Sequence, residues 1–139
     1  MARIMAIDFG LKRSGLAVTD PLQIIAGGLT TVETGRLTAF IVDYVSKEPT
    51  ELLVVGLPTK LNGEPSEMLK HIELFVGNIR RAIPDMPICY ADERFTSVIA
   101  HRTILDAGLS KQKRRDKALV DEVSAVIILQ SYMESKKNT

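Results

Sequence analysis

Apolar residues come first in short blocks and only later in helical stripes. Residues 3–9 are apolar except at the ends and at Asp8; the run breaks at Gly10-Leu11-Lys12-Arg13 and resumes over Ser14–Thr19. Two short runs joined by a Gly-containing turn predict a β-hairpin. Residues 25–32 predict a third strand, weakened by Gly27-Gly28. The period then changes: Leu37, Ile41, Val42 and Val45 recur at helical spacing, with Thr34 as the expected N-cap and Pro49 beyond the end. Leu52–Gly56 predicts a short buried strand, and residues 57–65 a loop holding two prolines and Asn62-Gly63. A second helix is expected from Ser66 to Ile83, with Leu69, Ile72, Phe75, Val76 and Ile79 on one stripe and Pro84 as its stop. Pro87–Tyr90 predicts another strand, and helices follow at Thr96–Ala107 and Ala118–Lys136 across a polar segment.

Three strands, then helix, strand, helix and strand, then two helices make an α/β order. Crossover connections of this kind imply a mixed sheet covered on both faces. The expected sheet has five strands, antiparallel over the first three and parallel for the last two. At 139 residues, with no repeat and no low-complexity stretch, a single domain over 1–139 is expected. The composition is that of an ordinary soluble chain, 45% apolar and 25% charged. A net charge of +1 lacks the strongly basic balance of proteins that coat nucleic acid. The N-terminus lacks the long apolar core of a signal peptide, and no window is long enough to span a membrane. The expected compartment is the cytoplasm.

Three acids stand out against this pattern. Along a strand Ile4, Ala6 and Asp8 share a face. A carboxylate on such a face costs several kcal/mol unless it is paired or binds a metal; an Asp that starts a turn beside Gly10 is the plainer account. Glu93, in Asp92-Glu93-Arg94, directly follows the strand ending at Tyr90. In open α/β sheets ligands bind at that end of the strands, although a solvated acid paired with Arg94 would look the same. Asp121 opens a helix stripe whose next members are Ser124, Ala125 and Ile128. That stripe should pack, while an acid near a helix N-terminus is also favoured by the dipole alone. Together the three suggest carboxylates converging on one end of the sheet. All-oxygen donors of this kind suit Mg²⁺ or Mn²⁺. Two such ions can clamp the attacking and leaving oxygens of a phosphodiester.

Basic residues flank these acids. Lys12 and Arg13 follow Asp8. Lys111, Lys113, Arg114, Arg115 and Lys117, with Asp116 among them, precede Asp121. A phosphate backbone needs such side chains, and a solvated charged loop would also carry them. Cys89 is alone and sits in an apolar run, as a buried thiol would, so a disulfide within the chain is excluded. With only His71 and His101, both expected at the surface or its boundary, a closed zinc site is not expected. Phe75 and Phe95 read as core residues.

At these residues the chain resembles the YqgF family, a Holliday-junction-resolvase-like group with an RNase H-like fold. Asp8-Phe9-Gly10-Leu11-Lys12-Arg13-Ser14-Gly15-Leu16-Ala17-Val18 resembles the family's first motif. Val55-Gly56-Leu57-Pro58, with Asn62-Gly63 after it, resembles the second. Asp92-Glu93-Arg94-Phe95-Thr96-Ser97 resembles the third, and Lys113-Arg114-Arg115 followed by Asp121 and Ser124-Ala125 the fourth. The resemblance spans nearly the whole chain and implies a three-layer α/β/α RNase H-like fold. It implies a metal-dependent nuclease whose carboxylates Asp8, Glu93 and Asp121 hold two Mg²⁺ or Mn²⁺ ions. Lys12, Arg13, Arg94, Lys111, Lys113, Arg114 and Arg115 would then meet the nucleic acid. Gly10, Gly15, Gly56 and Pro58 would shape the motifs. It also implies 5′-end maturation of the small-subunit ribosomal RNA precursor (pre-16S rRNA), with ribosome association, by a monomer or homodimer.

Three other functions fit parts of the pattern. Cleavage of four-way DNA would need a symmetric dimer to cut two strands. A non-catalytic RNA- or ribosome-binding module could keep the fold. A nucleotide-handling protein of the actin, hexokinase or Hsp70 class also opens with an Asp-x-Gly hairpin, but it needs two such domains. The apolar face at Ile127–Tyr132 is either core or interface.

Overall fold

The computed structural model describes residues 2–57, 68–92 and 117–137. The helix expected at Thr96–Ala107, the loop from Pro58 onward, Glu93, Arg94, Phe95, His101 and the basic run Lys111–Arg115 lie outside the described residues.

The chain opens with three strands, β1 (Arg3–Asp8), β2 (Arg13–Thr19) and β3 (Ala26–Glu33), then α1 (Leu37–Lys47), β4 (Thr50–Leu57), α2 (Leu69–Ala82) and β5 (Ile88–Asp92). The last described helix, α3, spans Lys117–Lys137. The sheet is ordered β3-β2-β1-β4-β5, antiparallel between β1, β2 and β3 and parallel between β1, β4 and β5. This is the mixed five-stranded sheet expected from the pattern, covered on both faces.

Strict alternation along the central strands sends side chains to two separate cores. Met5 and Ile7 of β1, Leu16 of β2 and Leu53 and Val55 of β4 pack under α1 and α2. Those helices answer with Leu37, Ile41, Ile72, Phe75, Val76 and Ile79. On the other face Ile4, Ala6, Ala17 and Val54 meet Ala125, Ile128 and Leu129 of α3. Each large aliphatic side chain fully removed from water contributes about 1.5–3 kcal/mol. Met5, Ile7, Leu53, Ile72, Ile128 and Leu129 are all at 0% exposure, so both faces are firmly held. Ile127, Ile128 and Leu129 are therefore core rather than interface. The α3 side is lined by alanines, and small residues allow a helix to approach a sheet closely.

Two expectations need correction. Thr34 does not cap the helix: no side-chain cap bond is made at that end, and a short 3₁₀ turn over Thr34–Arg36 precedes α1. The hydroxyl instead serves a tertiary contact described below. Cys89 is half-buried at the edge of the α3 core rather than fully enclosed, and burial still pushes its thiol pKa up. His71 is exposed, as expected.

Candidate functional site

Because β1, β4 and β5 are parallel, Asp8, Leu57 and Asp92 finish at one edge of the sheet. Asp8 pairs directly with Gly15 of β2. Opposed residues of an antiparallel pair point to the same face with Cβ positions about 4.5–5.5 Å apart. The Asp8 side chain thus stands on the α3 face, with the Ile4 and Ala6 side chains before it.

Gly15 explains how the second acid arrives there. A Cβ on Gly15 would strike the carbonyl of Asp121 and come within 2.9 Å of the Glu122 nitrogen. The start of the described part of α3 therefore rests on the bare backbone of β2, directly beside Asp8. On the other side of Asp8, β4 also supplies a glycine. Ile7 is in register with Val55, and Gly56 is in register with Ala91. One row across the sheet accordingly reads Gly15, Asp8, Gly56, Ala91. Gly15 and Gly56 are buried and Asp8 and Ala91 half-buried, so the carboxylate stands in a covered row with almost no side-chain bulk beside it.

The hairpin that carries Asp8 is closed by a ring of hydrogen bonds. Thr34 Oγ1 donates to the Gly10 carbonyl at 2.6 Å, the Gly10 amide donates to Ser14 Oγ at 3.3 Å, and the two hydroxyls lie 2.9 Å apart. With its proton committed to Gly10, Thr34 receives the Ser14 proton. The Thr34 amide also donates to the Lys12 carbonyl at 3.0 Å. Ser14 is completely buried, so its hydroxyl needs these partners. Gly10 is required by close approach as well, since a Cβ there would collide with the Arg13 carbonyl. Sequence reasoning treated Thr34 only as a cap and gave Ser14 no role. The available signal was two hydroxyl residues bracketing a Gly turn, which does not reveal that they meet.

Arg13 Nε lies 3.5 Å from Asp121 Oδ2, with the two side chains 39% and 27% exposed. This Nε is buried but makes no hydrogen bond, so the contact is an ion pair without hydrogen-bond alignment. Lys12 is exposed at the tip of the same turn. The structure thus unites Asp8, Asp121, Arg13 and Lys12 at one edge. The third expected acid, Glu93, follows β5 in the sequence and lies outside the described residues. Among the described residues no three His, Cys, Asp or Glu side chains form a group suited to a metal. The two described carboxylates supply oxygen donors only, which fits a hard divalent cation and not a soft metal.

The roomier concavities lie elsewhere. One of about 400 Å³ is bordered by Ile4, Leu52, Tyr132 and Met133, at the strand ends opposite Asp8. Its mixed apolar wall lacks a cluster of acids, and we assign it no part in phosphate chemistry. Among the described residues no helix is long and apolar enough to cross a membrane.

Comparison with known proteins completes the description. A family model described as "RuvX: Holliday junction resolvase" matches residues 2–135. A protein of Porphyromonas gingivalis named "Putative pre-16S rRNA nuclease" is 62% identical over 135 residues, covering 97% of this chain and 98% of its own. A protein of the same name from Flavobacterium johnsoniae is 50% identical over 137 residues, 99% of each chain. Among solved structures, Thermus thermophilus RuvC in complex with a Holliday junction substrate superposes with a TM-score of 0.61 at 18% identity, covering 100% of this chain and 98% of that one. A second structure of Thermus thermophilus RuvC gives a TM-score of 0.58 at 15% identity, covering 99% of this chain and 97% of that one. These two likenesses establish the RuvC-like, RNase H-like fold.

Proposed function

The chain belongs to the RuvX Holliday junction resolvase family, and on that premise we propose that it is a metal-dependent nuclease acting on the precursor of small-subunit ribosomal RNA, in maturation of the 5′ end. The carrying observation is that Gly15 lets the start of α3 settle beside Asp8, so that two carboxylates share one edge of the sheet. RNA is preferred over four-way DNA because relatives at 50–62% identity bear the rRNA nuclease name, whereas the junction-bound neighbour shares only the fold. Cytoplasmic work on, or beside, the ribosome goes with this reading.

Asp8 and Asp121 would hold the divalent ions, with Glu93 as the third carboxylate. When bound, such ions supply an activated water and stabilise the departing oxygen. The remaining work falls to the chain's own groups. Lys12 at the turn tip attracts the phosphate backbone, a sequence-independent and salt-sensitive contribution. Arg13 holds Asp121 in place and balances its charge. The row of Gly15, Gly56 and Ala91 sets no side chain larger than a methyl beside Asp8. The Ser14–Thr34 ring fixes the turn, so the approach geometry is set before substrate arrives.

The test pairs a ribosomal RNA precursor with a four-way DNA junction under matched salt and Mg²⁺ or Mn²⁺. RNA cleavage that disappears in Asp8→Asn is expected, with the junction left intact. Full activity in purified Asp8→Asn would sink the assignment. Binding of Mn²⁺ by the wild type, weakened in Asp8→Asn, provides a readout independent of turnover. Retained RNA binding without cleavage by the wild type would instead indicate a non-catalytic binding module.

A further inference from the structure

We propose that a small cavity on the α1/α2 side of the β1–β2 turn holds one unpaired nucleobase of the substrate strand, close to the phosphate presented to Asp8. The proposal rests on the nuclease reading above and names a substrate-binding site for it.

Successive residues leave β1 on opposite faces. Asp8 goes to the α3 side, while Phe9 packs against the α1/α2 core. Phe9 meets Phe75 with ring centroids 5.4 Å apart and planes at 33°. These rings help line a cavity of about 220 Å³. Leu11 and Leu74 border it, and they are 61% and 67% exposed. Single exposed leucines are ordinary. Two flanking one aromatic-lined opening, next to a candidate phosphate site, form a surface suited to a flat apolar ring.

Hydrogen-bonding groups complete the wall. His71 and Asn78 both line the cavity and are both exposed. Asn78 Oδ1 already accepts from Arg81, which leaves its NH₂ to donate. Single-stranded RNA is recognised by splaying out bases, stacking them on aromatic groups and bonding their edges. The space is below the roughly 300–1,000 Å³ of pockets that enclose whole drug-sized ligands. It suits one ring system with its sugar and phosphate left outside.

Continuity with the candidate site favours this occupant over an apolar side chain of a protein partner. Lys12 directly follows Leu11. Thr34, which locks the turn through Gly10 and Ser14, also lines the cavity. The cavity wall and the hairpin bearing Asp8 are thus tied into one unit, so a base seated in one fixes the strand relative to the other.

The experiment uses the full chain carrying Asp8→Asn, which prevents cutting. Affinities are measured by fluorescence anisotropy for a labelled single-stranded RNA and for an abasic strand of equal length and charge. Adding Leu74→Ser with His71→Ala should weaken RNA binding by roughly tenfold, the scale of one lost stacked base, and leave the abasic strand unchanged. Lys12→Gln should weaken both alike. Equal losses on both strands, or no loss on RNA, would overturn the base site while leaving the nuclease reading standing. If the Asp8→Asn parent binds neither strand, while the wild type also neither binds nor cuts, the nuclease reading falls and this site with it.

Discussion

Replacing Gly15 with Ala tests how the two described acids are brought together. The new methyl carbon would lie against backbone atoms of Asp121 and 2.9 Å from the nitrogen of Glu122. Normal carbon contacts need about 3.5–4.0 Å, and backbone cannot swing aside as a side chain tip can. The start of α3 must therefore retreat by roughly 1 Å or tilt, while Ala125, Ile128 and Leu129 stay pinned in the core at 0% exposure. Overpacking of this kind costs about 1–3 kcal/mol, out of the 5–15 kcal/mol typical of a domain, so the variant should still fold. Activity should suffer more than stability. A displacement of about 1 Å between catalytic groups can reduce the rate by about 100-fold. Two neighbours serve as internal standards. At Gly28 the obstruction is only the Glu122 side chain, which can rotate away, and at Gly27 nothing lies within 4 Å. Urea unfolding and metal-dependent cleavage should therefore rank Gly15→Ala as worst, Gly28→Ala as mild and Gly27→Ala as neutral or slightly stabilising. A Gly15→Ala protein with wild-type midpoint and wild-type turnover would refute the claim that Gly15 sets the Asp8–Asp121 approach.

Thr34→Val keeps the shape but strands the buried Ser14 hydroxyl and the Gly10 carbonyl; thermal unfolding should show a loss of about 1–3 kcal/mol, and a change below a few tenths would mean the ring is not structural. Arg13→Gln breaks a half-exposed ion pair, so stability should move by at most about 1 kcal/mol while kcat falls more than KM rises. Lys12→Gln should flatten the logarithmic salt dependence of RNA binding by about 0.7–0.9, and an unchanged slope would remove Lys12 from the phosphate path. Asp20 accepts amide bonds from Ile25, Ile24 and Leu22, and these bonds, that of Ile25 foremost, hold its carboxyl below its ordinary value of 3.8. A lowered folded pKa gives stability that is present above the ordinary value and lost as pH falls through the folded one. The advantage of wild type over Asp20→Asn in chemical denaturation should thus be full at neutral pH and shrink in acid; an advantage that grows on acidification would contradict it.

Much of the sheet was readable because its central strands are enclosed on both faces. Runs such as Leu52-Leu53-Val54-Val55 leave little choice of structure, and alternation alone placed Asp8 on the side of Ala6 rather than Ile7. The α2 stripe was equally plain: Ile72, Phe75, Val76 and Ile79 are all buried. Thr34 failed for a physical reason. A hydroxyl before a helix can serve the nearest amides or a more distant acceptor, and the buried demand of Ser14 and Gly10 outweighs an exposed cap. Arg13, expected to meet the nucleic acid, also lies against Asp121, a neighbour that local sequence could not name because it does not say which residue of a later helix arrives beside a hairpin.

The glycines carry the wider point. In a strand Gly15 and Gly27-Gly28 look like weaknesses, for they pack no side chain and cost conformational entropy. In the fold, Gly15 admits the backbone of α3 and Gly28 admits the Glu122 side chain, while Gly56 continues the row of small residues past Asp8. A catalytic carboxylate on an enclosed sheet face has two opposing needs: close neighbours to supply further ligands, and empty volume for substrate. Larger side chains would satisfy the core and fill that volume. Glycine on both flanking strands keeps side-chain bulk away from the carboxylate, and on the β2 side it lets a helix backbone come close. Enlarging Gly56 should therefore act differently from enlarging Gly15. Gly56→Ala would add a methyl beside Asp8 from the β4 side, raising KM for a structured RNA more than it lowers stability. A Gly56→Ala protein that loses stability but binds RNA normally would show that the row is packing alone.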